Sequence, residues 1–184
     1  MRIKKAVAWD ATNISQKVKT MDFKEMNPLG IIGVIGAIIL VVGVFLGWLT
    51  PDYSGAHTYS GWDIQSDVDS IKSGYGGYSL NYAFLPLVAL ICGIISIVLM
   101  IIPTIMNAEK FQTINNILGL VALILAIVVV ICGLRFYLQS WTVLGHTYKL
   151  TEVYKVGIGF WLVLVGGIIT LIGGIMPILK NKVL

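Results

Sequence analysis

The chain is polar and basic through Asn27 and then alternates long apolar runs with shorter polar breaks. Four runs, at about 28–49, 81–106, 114–138 and 156–179, are long enough to cross a hydrocarbon core of about 30 Å, which takes about 20 helical residues. In lipid only helices and closed barrels satisfy every backbone group, and runs this continuous lack the in-out alternation of barrel strands. The pattern therefore predicts an all-α membrane protein, a four-transmembrane-helix bundle occupying 28–184 behind a separate arm at 1–27. Asn27-Pro28 is the start signal of the first span, with proline at the first helical position.

The polar breaks carry a second pattern. The outer loops are 50–80 and 139–155. In the first, 58–64 (TYSGWDI) has β-favouring residues around a glycine turn. In the second, 141–153 (WTVLGHTYKLTEV) reads as a hairpin around Leu144-Gly145. The two loops are expected to pair into one small β cap.

Internal similarity refines the bundle. Gly93 to Val98, ending at Pro103, matches Gly167 to Ile172, ending at Pro177, at an offset of 74 (167 − 93). Between the first and third spans, Gly33 and Gly47 match Gly119 and Gly133 at an offset of 86 (119 − 33), and the difference of 12 between the offsets (86 − 74) is roughly the extra length of the first loop. The chain thus reads as two parallel helical-hairpin repeats, an arrangement some transporters share.

Glycine is placed for helix packing. Gly33, Gly36, Gly43 and Gly47 fall within an arc of about 80° on the first span. On the fourth, Gly159, Gly166 and Gly173 recur every seven residues, with Gly167 and Gly174 beside them. Such stripes let helix backbones approach closely where lipid supplies no hydrophobic drive. They suit either packing of the first and fourth spans within one bundle or contact with another subunit.

Composition agrees with a bilayer. Hydrophobic residues are 57% of the 184 and charged ones 12%, against about 45–50% and 25% in soluble domains. The net charge of +4 matters less than its distribution. Arg2, Lys4, Lys5, Lys17, Lys19, Lys24, Lys110, Lys180 and Lys182 fall on one side, and Lys72, Arg135, Lys149 and Lys155 on the other. That bias places both termini in the cytoplasm of a multi-pass protein of the cell membrane, and accounts for the basic residues without nucleic acid. The first 27 residues lack the apolar core of a cleavable signal peptide. Trp48, Tyr53, Tyr82, Phe84, Phe136, Tyr137, Trp141, Tyr154 and Trp161 gather at the outer ends. Of these Trp48, Tyr82, Trp141 and Trp161, with Arg135 snorkelling nearby, are the expected interface anchors.

Candidate chemistry is sparse. No Asp, Glu, Lys or His lies inside a span, so proton relays and ion-coupled sites have no ionisable groups at depth. Cys92 and Cys132 sit in apolar runs as small hydrophobes, leaving no disulfide for the loops. Asp63, Asp67 and Asp69 are spaced as weak calcium candidates, without the glycine and terminal glutamate of an EF-hand loop. His57-Thr58-Tyr59 and His146-Thr147-Tyr148 repeat a tripeptide, and strand pairing across the loops would bring the two imidazoles together, though two ligands are too few for a closed metal site. No nucleophile–base pattern is present, so no enzyme, catalytic residue or cofactor is expected. In the arm, Ile3, Val7, Ala11, Ile14, Val18 and Met21 share one helical face with Lys4, Lys5, Lys17 and Lys19 off it. A basic amphipathic helix on anionic lipid fits that pattern, as does docking on a cytoplasmic partner.

Four spans, inward termini and a larger first outer loop with Gly61-Trp62 resemble the topology of the claudin and peripheral-myelin class of tetraspan proteins. The Gly-Leu-Trp run and cysteine pair of that class are absent from this loop. The expected function is association: an accessory, scaffold or assembly subunit binding the bilayer and other membrane subunits, or itself. The alternative is an oligomeric pore or small-solute transporter.

Overall fold

The computed structural model describes residues 28–52, 55–66, 82–105, 112–143 and 146–180. The arm at 1–27 and two of the three candidate aspartates, Asp67 and Asp69, lie outside the described residues. In chain order the elements are α1 (Pro28–Phe45), β1 (Gly47–Pro51), β2 (Tyr59–Ser60), α2 (Gly61–Ser66), α3 (Leu85–Ile105), α4 (Gln112–Tyr137), β3 (Ser140–Val143), β4 (His146–Lys149), α5 (Leu150–Val153), β5 (Tyr154–Val156) and α6 (Ile158–Lys180).

The protein is mostly helical, and among the described residues three helices, α3, α4 and α6, are long and apolar enough to cross a membrane. Their 21, 26 and 23 residues reach about 31–39 Å at 1.5 Å per residue. Helix α1 is shorter, at 18 residues or about 27 Å, because the expected first span does not stay helical to 49. It stops at Phe45, and Gly47–Pro51 is extended. The indole of Trp48 folds back and donates from Nε1 to the Gly43 carbonyl at 2.9 Å. The Trp48 carbonyl in turn accepts the Gly157 N–H at 2.7 Å. A short apolar run suits helix or strand equally by pattern, and here strand pairing decides.

Helices α1 and α4 each lie beside both α3 and α6, so α1 and α4 face one another across the group. The closest approach is between α1 and α6. A Cβ on Gly166 would lie 2.5 Å from the Leu40 nitrogen and 2.7 Å from the Gly36 oxygen. One on Gly36 would lie 2.6 Å from the Thr170 nitrogen, and one on Gly43 would lie 2.9 Å from the Gly159 oxygen. These neighbours are backbone atoms that cannot swing aside, so glycine is what allows the contact. Gly33 faces the Met100 side chain, with the Gly173 Cα 3.4 Å from its Cβ direction. Gly167 and Gly174 turn instead toward α4, against Val130 and Leu123. Gly47 lies off α1 in β1, where a Cβ would meet Thr58 Cγ2 at 2.5 Å. The hydroxyl of buried Thr170 donates to the Gly166 carbonyl at 2.7 Å, satisfying itself inside the helix.

One packing motif occurs twice. Gly93 of α3 rests on the Leu40 and Val41 side chains and the Ala37 carbonyl of α1. Gly167 of α6 rests on the Val129 and Val130 side chains and the Ala126 carbonyl of α4. The α1 residues precede their α4 counterparts by 89 positions (126 − 37), and the two glycines stand 74 apart (167 − 93).

The cap is built from both connecting segments. A three-stranded antiparallel sheet has the order β2-β1-β5, pairing Leu49 with Val156, Thr50 with Lys155 and Pro51 with Tyr154. The Lys155 ammonium meets the Asp52 carboxylate at 2.5 Å, but both side chains are largely exposed, so the pair contributes about 1 kcal/mol at most. The hairpin around 144–145 does form, with Trp141 opposite Tyr148, but as a separate two-stranded sheet. The joining strand of the second segment is β5, not that hairpin. The expected strand at 58–64 is cut short: only Tyr59–Ser60 is extended, and Gly61–Ser66 is helical. A reciprocal cap explains the switch. The Asp63 carboxylate accepts the Ser60 N–H at 2.8 Å, and the Ser60 hydroxyl accepts the Asp63 N–H at 3.1 Å.

Candidate functional site

The cap end is organised around an aromatic cluster. Trp48 is 1% exposed, with its ring edge-to-face on Phe136 at 5.3 Å and on Phe160 at 5.6 Å. Tyr137 stacks on Phe160 at 5.9 Å. The expected one-sided interfacial belt is therefore divided. Trp48, Phe136 and Tyr154 are buried in the core, whereas Phe84 and Trp161 are exposed. Trp48 is a core residue and not an interface anchor, because the hydrogen bond to Gly43 turns its ring inward. Trp161 keeps an exposed face while touching Tyr137 and Phe160. Tyr82 is half-buried against the hydrophobic core, and Arg135 is exposed at the last turn of α4. Trp141 lies on β3.

Among the described residues the candidate metal ligands, His57, His146 and Asp63, form no cluster. His57 is exposed and stands edge-on to Tyr59 at 5.5 Å. His146 is exposed at the start of β4, in the other sheet. His57 precedes β2, which does not pair with the β4 strand that carries His146, so the expected cross-strand pairing is not made. Asp63 already has its carboxylate engaged as a helix cap. Among the described residues, no three His, Cys, Asp or Glu side chains are grouped to hold a metal ion. We predict that Asp63→Ala will loosen α2 by about 1 kcal/mol, read as roughly fivefold faster amide hydrogen exchange at Ser60. An unchanged rate would remove Asp63 from the cap.

Two buried side-chain amides were not singled out by the sequence. Gln139 is 5% exposed, and neither its side-chain oxygen nor its nitrogen has a partner among the described residues. It follows α4, where its backbone carbonyl accepts the Leu150 N–H at 3.1 Å. Asn115, in the first turn of α4, is 7% exposed, and its side-chain oxygen has no partner among the described residues. Polar atoms of this kind are costly in a packed interior. Their only sequence signal is an amide residue at each edge of a long apolar run.

The exposed polar surface of the cap includes His57, His146, Thr147, Lys149, Glu152 and Lys155. These residues sit on a backbone fastened at several points. Thr50 and Thr58 hydroxyls meet at 3.0 Å, the Asp52 N–H donates to the Val153 carbonyl at 3.2 Å, and the Glu152 carboxylate accepts the Lys149 N–H at 2.9 Å. Chemically this is an exposed surface of mixed charge at one end of the helices. Comparison of the chain with family models, with curated proteins and with solved structures gave no match in any of the three.

Proposed function

We propose that the chain is a non-enzymatic, four-span membrane protein that works by association, as an accessory, scaffold or assembly subunit. On this reading α1 is the fourth crossing helix. It contains no charged residue, it packs directly against α3 and α6, and it turns Ile31, Ile35, Ile38 and Val42 outward. Both termini lie in the cytoplasm, and the basic arm contacts anionic lipid. The observation that carries the functional reading is the cap: β1 and β5 knit the two loops into one sheet, presenting a fixed mixed-charge surface to a partner. The α1–α6 stripe is occupied within the chain, so association falls to the cap and to the outward faces of the helices. Extraction of native membranes in mild detergent is expected to give a particle well above the 20.1 kDa of the chain, with a cross-linked partner. A particle of one chain alone would overturn the reading.

The repeated packing motif supports a duplicated architecture, and with it the second reading of a pore or small-solute transporter. The equivalence it supports between α1 and α4 is 89 positions (Ala37 to Ala126), in place of the 86 that glycine matching alone suggests. Vesicles containing the protein would then leak small solutes; tight vesicles count against this reading.

A further inference from the structure

Helix α1 carries Ile31, Ile35, Ile38 and Val42 outward, each more than a third exposed, at a spacing that sets them on one stripe. Phe45 ends that stripe and is 54% exposed. Trp62 of α2, itself 45% exposed, lies over Phe45 with ring centroids 6.1 Å apart. The apolar stripe therefore steps off the end of α1 onto the first connecting segment.

The rotation of α2 that produces this contact is fixed on three sides. The Ser60–Asp63 cap sets its first turn. Gly61 lies so close to Trp48 that a Cβ would stand 2.9 Å from the indole. Ile64 is fully buried. With those contacts made, Trp62 projects to the outside. Of the exposed charged and imidazole groups of the described cap (Asp52, His57, His146, Lys149, Glu152 and Lys155), none lies on α2.

We propose that Phe45 and Trp62 form a lipid anchor, with the Trp62 indole seated at the head-group boundary of the leaflet on the cap side. The occupant follows from continuity. A stripe that meets acyl chains along α1 runs directly into this pair, and an indole, apolar in body and polar at its N–H, suits that boundary better than bulk water or hydrocarbon. The anchor holds α2 on the membrane surface, and through β2 fixes the edge of the three-stranded sheet relative to the bilayer. This proposal rests on the reading of α1 as a crossing helix.

The test uses the full chain in phosphatidylcholine vesicles brominated either near the head group or deep in the acyl chain, comparing the unsubstituted protein with Trp62→Phe. The emission removed by the substitution is expected to be quenched about twofold more by shallow than by deep bromine, and little by aqueous iodide. Quenching of that component by iodide alone would place Trp62 in water. Protection from both quenchers would place it against protein, a second copy included. Either result overturns the anchor. Labelling of Asn27→Cys and of Asp52→Cys, on either side of α1 in the sequence, by an impermeant maleimide in sealed native membranes separates the two ideas. Labels on opposite faces while Trp62 meets water lose the anchor alone, whereas labels on the same face overturn the crossing of α1 as well.

Discussion

Gly166→Ala will destabilise the protein by about 1–3 kcal/mol, whereas Gly167→Ala, one residue along the same helix, will be close to neutral. The contrast comes from what each new methyl meets. At Gly166 it falls on the Leu40 nitrogen and the Gly36 carbonyl, both backbone atoms of α1, so the helices must separate along a seam that also holds Gly36, Gly43 and Gly159. At Gly167 the nearest atom is Val130 Cγ2 at 3.2 Å, a side chain that yields by a few tenths of an ångström. The gain of up to about 1 kcal/mol from replacing glycine in a helix then offsets that adjustment. Denaturation of both variants in one detergent, followed by near-ultraviolet circular dichroism, measures the difference. Equal midpoints for the two variants would mean that α1 and α6 are not in backbone contact.

Trp48→Ala is expected to be the more damaging single change at the cap end, at about 3–5 kcal/mol. The indole is 1% exposed, meets Phe136 and Phe160 edge-to-face, and ties the end of α1 through Gly43. Trp48→Phe separates these contributions. It keeps most of the ring contact and loses the Nε1–H bond, which contributes about 1 kcal/mol. The Gly43 carbonyl still accepts the Leu46 N–H at 3.3 Å, so the phenylalanine variant should unfold much nearer the parent than the alanine variant. If both substitutions are tolerated equally, packing of this ring is not what holds the cap to the helices.

The apolar runs made the long helices legible, because nothing else in a chain of this composition offers stretches of that length without charge. The glycines at 36, 43, 159 and 166 were legible as packing surfaces for a geometric reason: their angular spacing on a helix is fixed whatever the partner. What the pattern could not resolve was the stretch from Leu46 to Pro51, where a continuing apolar run hides a change from helix to strand. That change depends on β5, a partner far along the chain. Trp48 was misassigned on the same account, since a tryptophan at the end of an apolar run suits a membrane interface as well as a core. The helix at Gly61–Ser66 did have a local signal, in Ser60 followed three residues later by Asp63. It was read instead for β-favouring residues and for a calcium ligand. Gln139 and Asn115 gave almost no signal, because burial of an amide at the edge of an apolar run is decided by tertiary packing.

The pairing of β1 with β5 sets the order in which the molecule can be completed. Leu49 is made early and Val156 late, 107 residues apart (156 − 49), and the Gly157 N–H that binds the Trp48 carbonyl comes at the threshold of α6. During synthesis β1 must therefore wait for this partner until β5 has been produced. Helices α1 and α3 are both complete long before β1, already beside β2, gains its second neighbour. Closure of that sheet is then coupled to the arrival of α6, which directly follows β5.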